Sequence, residues 1–353
     1  MSKIGVVIVD DSALIRNMLT DILNSDAGIN VLGAAADPYQ ARDMIKETNP
    51  DVITLDVEMP KMDGLTFLDK IMRLRPTPVI MISSLTQKGA ETTLRALEMG
   101  ALDYVAKPQI GLQAGIEQMS REIISKVKLA ARANLQTAKR KPAAPKPGGH
   151  SISYQSTEKI VALGASTGGV EAISYILAEL PADCPAIAIA QHMPKNFTSS
   201  FAQRLNDQVL PNVTEAKHKA RLLPGHVYIA PGDVHLTVAK SGADYICLLE
   251  DGPLVSGHKP SVDHLFYSVA KSVGANAVGV ILTGMGKDGA DGLLRMRNAG
   301  AKTLGQDEAS STIYGMPGVA MEVGAVEKQV CLANMSGSIL KACGEGSIRA
   351  VRV

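Results

Sequence analysis

The chain has 353 residues, with 36 Lys+Arg against 35 Asp+Glu and 46% hydrophobic residues, enough for two domains that each carry a core. A net charge of +1 argues against a globally basic nucleic-acid binder. Aromatics at 3%, no Trp and 32 Gly suit close-packed α/β layers better than an all-β sandwich.

Along the first third, strand-like apolar runs alternate with helical patterns: KIGVVIVDD and a helix from about Ser12, NVLGAA and a helix, DVITLDV, PVIMISS and DYVAKP. These are five βα units, which force parallel strands and place all strand carboxyl ends at one edge of a doubly wound sheet. The segment 139–149, KRKPAAPKPGG, follows; its prolines and like charges make it a linker. Seven basic residues and no acid lie between Glu122 and Glu158, which leaves −6 for the rest of the chain. The expected division is residues 1–122 for the first domain, 123–157 for a helix running into a basic Pro-rich linker, and 158–353 for the second domain.

The same grammar then restarts with KIVALGAS, a helix over 169–180, CPAIAIAQH and a helix near 197–205. HVYIAPGDVHLTV, with Pro-Gly-Asp between two alternating runs, reads as an antiparallel hairpin inserted in a second parallel-rich, Rossmann-like sheet. A helix near 262–273 and the strand AVGVILTG complete the pattern. Cys184, Cys247, Cys331 and Cys343 are widely spaced and read as reduced, mostly core thiols. The run Ile4 to Val9 is too short for a signal-peptide core, and no run approaches the roughly 18 apolar residues of a membrane span. A soluble, cytoplasmic protein without membrane insertion is the expectation.

Strand ends carry the chemistry. Asp10 and Asp11 close the first strand, Asp56 the third, Ser83 and Ser84 the fourth, and Lys107-Pro108 the fifth. Three carboxylates within about 5 Å would repel by roughly 3 kcal/mol per pair at an effective dielectric near 20. Such a cluster wants a cation, and hard oxygen ligands select Mg²⁺ over zinc. Asp56 then suits a nucleophile for a phosphoryl group, with Lys107 and a Ser hydroxyl on the transferring oxygens. Helix capping by Asp11 and Ser12 is the plainer alternative, and only the joint placement on separate strand ends argues beyond it.

With VDDS at 9–12, LDVEMPKMDG at 55–64, MISS at 81–84 and GALDYVAKP at 100–108, this region resembles the receiver domain of two-component response regulators, a five-stranded flavodoxin-like fold. The resemblance implies phosphorylation of Asp56 by a histidine kinase. It also implies Mg²⁺ held by Asp11, Asp56 and the Glu58 backbone carbonyl, with Asp10 nearby, Ser83 at the switch-hydroxyl position and Tyr104 at the aromatic switch position.

In the second domain GASTGG at 164–169 follows a strand and opens a helix. It fails G-x-G-x-x-G, since Ser166 stands where backbone must approach pyrophosphate, but fits G-x-S-x-G, a turn that exposes a serine hydroxyl. A nucleophilic serine needs a base, and of seven histidines His192 alone ends a neighbouring parallel-type strand. His218, His226, His235, His258 and His264 read as surface or packing residues. Asp288, beyond AVGVIL, can hold the histidine's tautomer, with Asp291 as competitor, and Gly284, Gly286 and Gly289 leave backbone amides bare for an oxyanion.

The order Ser, His, Asp is not that of α/β-hydrolases. Instead GASTGG at 164–169, QHMP at 191–194, LTGMGKDGA at 282–290 and QDEASS at 306–311 followed by YGMP resemble the catalytic domain of the chemotaxis methylesterase family. That resemblance implies Ser166 as nucleophile, His192 as general base, Asp288 as orienting acid and the Met285 backbone N–H as oxyanion donor. It implies hydrolysis of glutamate methyl esters on the cytoplasmic domains of chemoreceptors, giving sensory adaptation in chemotaxis, with no cofactor in the esterase domain; family members also deamidate receptor glutamine. The two-domain layout implies that an unphosphorylated receiver restricts substrate entry. Three rivals are weaker: a DNA-binding output lacks a helix-turn-helix, a nicotinamide enzyme lacks its second glycine, and a catalytically dead scaffold is separated by an ester assay.

Overall fold

The computed structural model describes residues 3–84, 86–107, 113–133 and 159–344. The chain divides into two compact units, Met1–Lys139 and Arg140–Val353. The segment 139–149 and the C-terminal SIRAVRV lie outside the described residues.

The first unit runs β1 (Ile4–Val9), α1 (Ala13–Asn24), β2 (Ile29–Ala35), α2 (Pro38–Thr48), β3 (Val52–Asp56), α3 (Gly64–Leu74), β4 (Val79–Ser83), α4 (Gln87–Glu98), β5 (Asp103–Ala106) and α5 (Gln113–Ala130). All five strands pair in parallel in the order β2-β1-β3-β4-β5. Residues such as Val6, Ile8, Ile53 and Ile80 are buried, which is why these runs are apolar throughout rather than alternating. Helix starts are capped by side chains: of Asp11 and Ser12 it is the Ser12 hydroxyl that accepts from Ile15 N–H, and Asp37 and Asp63 carboxylates accept at α2 and α3. The boundary expected at residue 122 falls inside α5. Ile123 and Val127 are buried against Leu19 and Leu23 of α1, so the helix belongs to the core of the first unit. Two of the seven basic residues sit here in ion pairs, Lys126 with Asp103 and Glu122, and Lys128 with Asp26.

The second unit runs β6 (Ile160–Ala165), α6 (Gly169–Ala178), β7 (Ala186–Gln191), α7 (Lys195–Asn206), β8 (Asn212–Glu215), β9 (His226–Ile229), β10 (His235–Ser241), β11 (Asp244–Glu250), α8 (Val262–Ser272), β12 (Ala277–Ile281), α9 (Ala290–Asn298), β13 (Lys302–Gln306), α10 (Met316–Glu322), β14 (Lys328–Val330) and α11 (Met335–Gly344). Seven strands form a parallel sheet in the order β14-β13-β12-β6-β7-β9-β8. All four Phe of the chain are buried, three of them here: Phe197, Phe201 and Phe266. Each contributes about 2–3 kcal/mol of apolar burial.

The expected hairpin is displaced. β9 pairs in parallel with β7 and β8, and the antiparallel pair is β10 with β11, from His235↔Glu250 to Ser241↔Asp244. Val227 and Ile229 of β9 are fully covered, as an interior parallel strand requires, and Gly242 at φ +61° turns the chain between β10 and β11. Pro231-Gly232-Asp233 therefore carries the chain out of the sheet rather than closing a hairpin. The four cysteines are free thiols, with Cys184, Cys247 and Cys343 buried; burial pushes Cys184 and Cys247 up to about 12. No described helix is long and apolar enough to cross a membrane.

Candidate functional sites

In each sheet the strand order reverses at one point, and the loops leaving the strands there frame a crevice. In the first unit that point lies between β1 and β3. Carboxylate oxygens of Asp10, Asp11 and Asp56 come within 4.8 Å of one another there. Asp10 and Asp56 are buried and Asp11 is exposed. Lys107, just past β5, bonds Asp56 Oδ2 at 2.7 Å and lies 3.2 Å from Asp10 Oδ2. The Ser12 N–H donates to Asp10 Oδ1 at 2.9 Å and the Glu58 N–H to Asp56 Oδ1 at 3.3 Å.

Burial raises the pKa of Asp56 to about 6, with Asp10's charge adding to it and Lys107 opposing it. Burial likewise raises Asp10 against the pull of Lys107, while in Lys107 the two carboxylates overcome burial and raise it. Three oxygens converging from a mostly buried cluster, with a single ammonium between two of them, are a donor set that fits a hard divalent cation. Ser83 is the last residue of β4 and Tyr104 lies within β5. The Ser83 hydroxyl bonds Thr93 Oγ1 at 2.6 Å and the Gly89 carbonyl at 3.3 Å, and Tyr104 is buried with the Lys126 ammonium 5.1 Å from its ring centroid.

In the second unit the reversal lies at β6, with β7 on one side and β12 on the other. Ser166 leaves β6 and His192 leaves β7 at the same level: Ala165 pairs with Gln191, and the His192 N–H donates to the Ala165 carbonyl at 3.2 Å. Gln191, itself buried, donates from Nε2 to the Ser166 carbonyl at 3.0 Å and so ties the two loops together. On the other side the Ser166 N–H donates to the Thr283 carbonyl at 3.1 Å. Gly284 follows, and a Cβ there would stand 2.8 Å from Ser166 Cβ, so only glycine allows this loop its approach. Met285 is the next residue on it. Gln306, from QDEASS, holds the loop by accepting the Thr283 N–H at 2.8 Å and donating to the Ser310 carbonyl at 2.7 Å.

Asp288 is buried and meets His192 Nε2 through Oδ2 at 2.8 Å, whereas Asp291 is exposed on the first turn of α9. The rest of its carboxylate is filled by the start of α8. Oδ1 accepts from Ser261 Oγ at 2.8 Å and Asp263 N–H at 3.0 Å, and Oδ2 accepts from Val262 N–H at 2.7 Å. Asp288 thus caps a helix N-terminus from another element, where donors and dipole both favour negative charge. Burial would raise its pKa, but the His192 hydrogen bond and charge and these amides win and lower it. The neighbouring Asp263, buried beside Asp288's charge, is raised.

An ionised Asp288 can only accept, so His192 Nε2 carries a proton toward it, and in the neutral tautomer this leaves the lone pair at Nδ1. That nitrogen is buried and has no hydrogen-bond partner among the described residues. Such an orphan is costly in a resting structure and expected of a base. Two features escaped the sequence. Ser261 and Asp263 read as an ordinary helix start, and nothing local tells that the helix aims at Asp288. His258, expected as a surface or packing residue, stacks on His192 with ring centroids 3.7 Å apart and 11° between planes. His235, expected as a surface or packing residue, is a packing residue, buried with Nε2 bonded to the Pro253 carbonyl at 2.9 Å.

Residues 161–339 match the family model of the CheB methylesterase, and residues 6–116 that of the response regulator receiver domain. A protein-glutamate methylesterase/protein-glutamine glutaminase from Methylobacillus flagellatus is 54% identical, covering 99% of this chain and 99% of its own length. The Salmonella typhimurium protein of that name is 54% identical over 100% of both chains. The crystal structure of the Thermotoga maritima CheB methylesterase catalytic domain superposes with a TM-score of 0.51 at 32% identity, covering 52% of this chain and 98% of that one.

Proposed function

The chain belongs to the CheB methylesterase family and carries a response-regulator receiver domain, and from that premise we propose that it is a phosphorylation-regulated protein-glutamate methylesterase and protein-glutamine glutaminase of chemotaxis. Its substrates are methylated glutamates on the cytoplasmic domains of chemoreceptors, and its phosphodonor is a chemotaxis histidine kinase. The observation that carries the reading is the His192–Asp288 pair at 2.8 Å beside Ser166, at the carboxyl edge of one sheet.

Ser166 Oγ attacks the carbonyl carbon of the glutamyl methyl ester while its proton passes to His192 Nδ1. His192 becomes a cation, and Asp288 holds it by the Nε2–H bond already made. The oxyanion is met by the Met285 backbone N–H, on the loop whose Gly284 packs against Ser166. Collapse breaks the ester C–O bond, and the proton on Nδ1 leaves with methoxide as methanol. His192 then deprotonates a water, which splits the acyl-enzyme to a free glutamate and restores Ser166. A glutamine side chain follows the same course with ammonia as leaving group. The test is incubation of the intact chain with a receptor fragment carrying glutamyl methyl esters, reading methanol and the free glutamate; absence of both would refute the reading.

In the receiver, Asp56 is the phosphoacceptor, supported by Asp10, Ser83 and Lys107. Asp11, Asp56 and the Glu58 backbone carbonyl would hold Mg²⁺, which would supply positive charge to the transferring phosphoryl oxygens. Lys107 places its ammonium against Asp56, and the Glu58 amide fixes the carboxylate's rotation. Asp56 protonates below about 6, because its folded-state pKa is raised. Protons therefore compete with the cation at acid pH, and apparent Mg²⁺ affinity should fall by about tenfold per unit below pH 6. Calorimetric titration between pH 5 and 7 checks this; a flat affinity would remove Asp56 from the ligand set.

A further inference from the structure

One histidine at the Ser166 edge has no part in the chemistry above. Val255 to His258 form a tight two-residue turn: the Val255 N–H donates to the His258 carbonyl at 3.1 Å and the His258 N–H to the Val255 carbonyl at 2.9 Å. Ser256 and Gly257, at φ 52° and 83°, take the left-handed pair that such turns demand. The turn is anchored on three sides. The Ser256 hydroxyl donates to Asp263 Oδ2 at 2.9 Å, His235 Nε2 to the Pro253 carbonyl at 2.9 Å, and Lys259 Nζ to Asp251 Oδ1 at 2.9 Å and the Gly252 carbonyl at 3.2 Å. Held this way, His258 lays its ring flat on His192.

His192 needs such a restraint. Its Nε2–H bond to Asp288 fixes an axis through the ring but not the plane about that axis, and the χ2 torsion of histidine is broad. Nδ1 makes no second bond to lock it. A parallel ring at contact distance removes the remaining freedom. We propose that His258 is a positioning residue for the base: presented by the 251–260 turn, its ring sets the plane of His192 and so the direction in which Nδ1 takes the Ser166 proton. This rests on the assignment of His192 as base.

The experiment compares methanol release by the intact wild-type chain with that of Ser166→Ala, His258→Ala and His258→Phe. It adds proton NMR of the low-field Nε2–H that His192 shares with Asp288. A misdirected base costs about 10- to 100-fold, so His258→Ala should lose that much kcat while KM stays within about twofold. His258→Phe, a flat ring of similar size, should recover kcat to within about threefold of wild type. The low-field resonance should be sharp in wild type and His258→Phe and broadened in His258→Ala at an unchanged thermal midpoint. Should His258→Ala not fold, His258→Gln, polar but without a ring, takes its place with the same expected loss. The proposal is overturned by wild-type kcat in the ringless variant, or by a His258→Phe chain no better than it. An active Ser166→Ala chain would instead sink the reading of the site itself.

Discussion

A chain carrying Ser166→Ala should lose methanol release by at least about 10⁴-fold while still accepting phosphate on Asp56. The size follows from what the proposed mechanism loses: Oγ is the atom that would form the new bond to the ester carbonyl, and alanine has no atom in its place. A residual rate remains because the backbone donors around the carbonyl persist without the nucleophile. The fold should tolerate the change. Ser166 holds its turn through backbone bonds, the N–H to Thr283 and the carbonyl to Gln191, and alanine keeps both. The proposed phosphoacceptor Asp56 lies in the other compact unit, on a sheet that shares no strand with this one, so phosphate uptake serves as the internal control. Undiminished turnover would mean that the hydrolytic centre lies elsewhere.

Asp288→Asn is the second large effect, and it should act through the tautomer. Four donors converge on the carboxylate: Ser261 Oγ and Asp263 N–H on Oδ1, and His192 Nε2 and Val262 N–H on Oδ2. An amide replaces one acceptor oxygen with an NH₂ group. Turned toward His192, that group demands an acceptor and forces the ring proton onto Nδ1, which abolishes the base. Turned toward Ser261, it opposes the Asp263 N–H with a donor. In the first orientation kcat should fall by about 10⁴-fold, and in either stability should drop by about 1–3 kcal/mol for the donor left unpaired. Steady-state kinetics with urea unfolding checks both. A kcat within tenfold of wild type would show that orienting His192 does not depend on this carboxylate.

The parts of the molecule that could be read in advance are those where one residue's position follows from the strand it ends. Val6 to Val9, Ile160 to Ala165 and Ala277 to Ile281 are apolar, and Val52 to Leu55 apolar but for Thr54, because both faces are covered, and a polar residue straight after such a run must lie at the carboxyl edge. That logic placed Asp10, Asp56, Ser166 and His192 at the ends of their strands, while Asp288 lies farther along the loop that leaves β12. It failed where the same local pattern serves two ends. HVYI and HLTVA look alike, but the first is an interior parallel strand and the second half of a hairpin, and the difference lies in what packs on their far faces. Ser261 reads as a helix cap, which it is, since His264 N–H reaches its hydroxyl at 3.3 Å; that the same hydroxyl serves Asp288 depends on α8 crossing the sheet edge. His258 carried no signal at all, because a stack between residues 66 positions apart has no local signature.

On the proposed regulation, a tenfold activation requires phosphorylation to favour the active arrangement by only about 1.4 kcal/mol. The decisive measurement is the rate of methanol release from a methylated receptor fragment, with and without a small-molecule phosphodonor, by the wild-type chain and by Asp56→Asn. The wild-type rate should rise at least about tenfold on adding the phosphodonor with Mg²⁺, and the Asp56→Asn rate should stay at the basal level in both. Equal stimulation of the two chains, or methanol release that the phosphodonor leaves unchanged in the wild type, would contradict an esterase governed by Asp56.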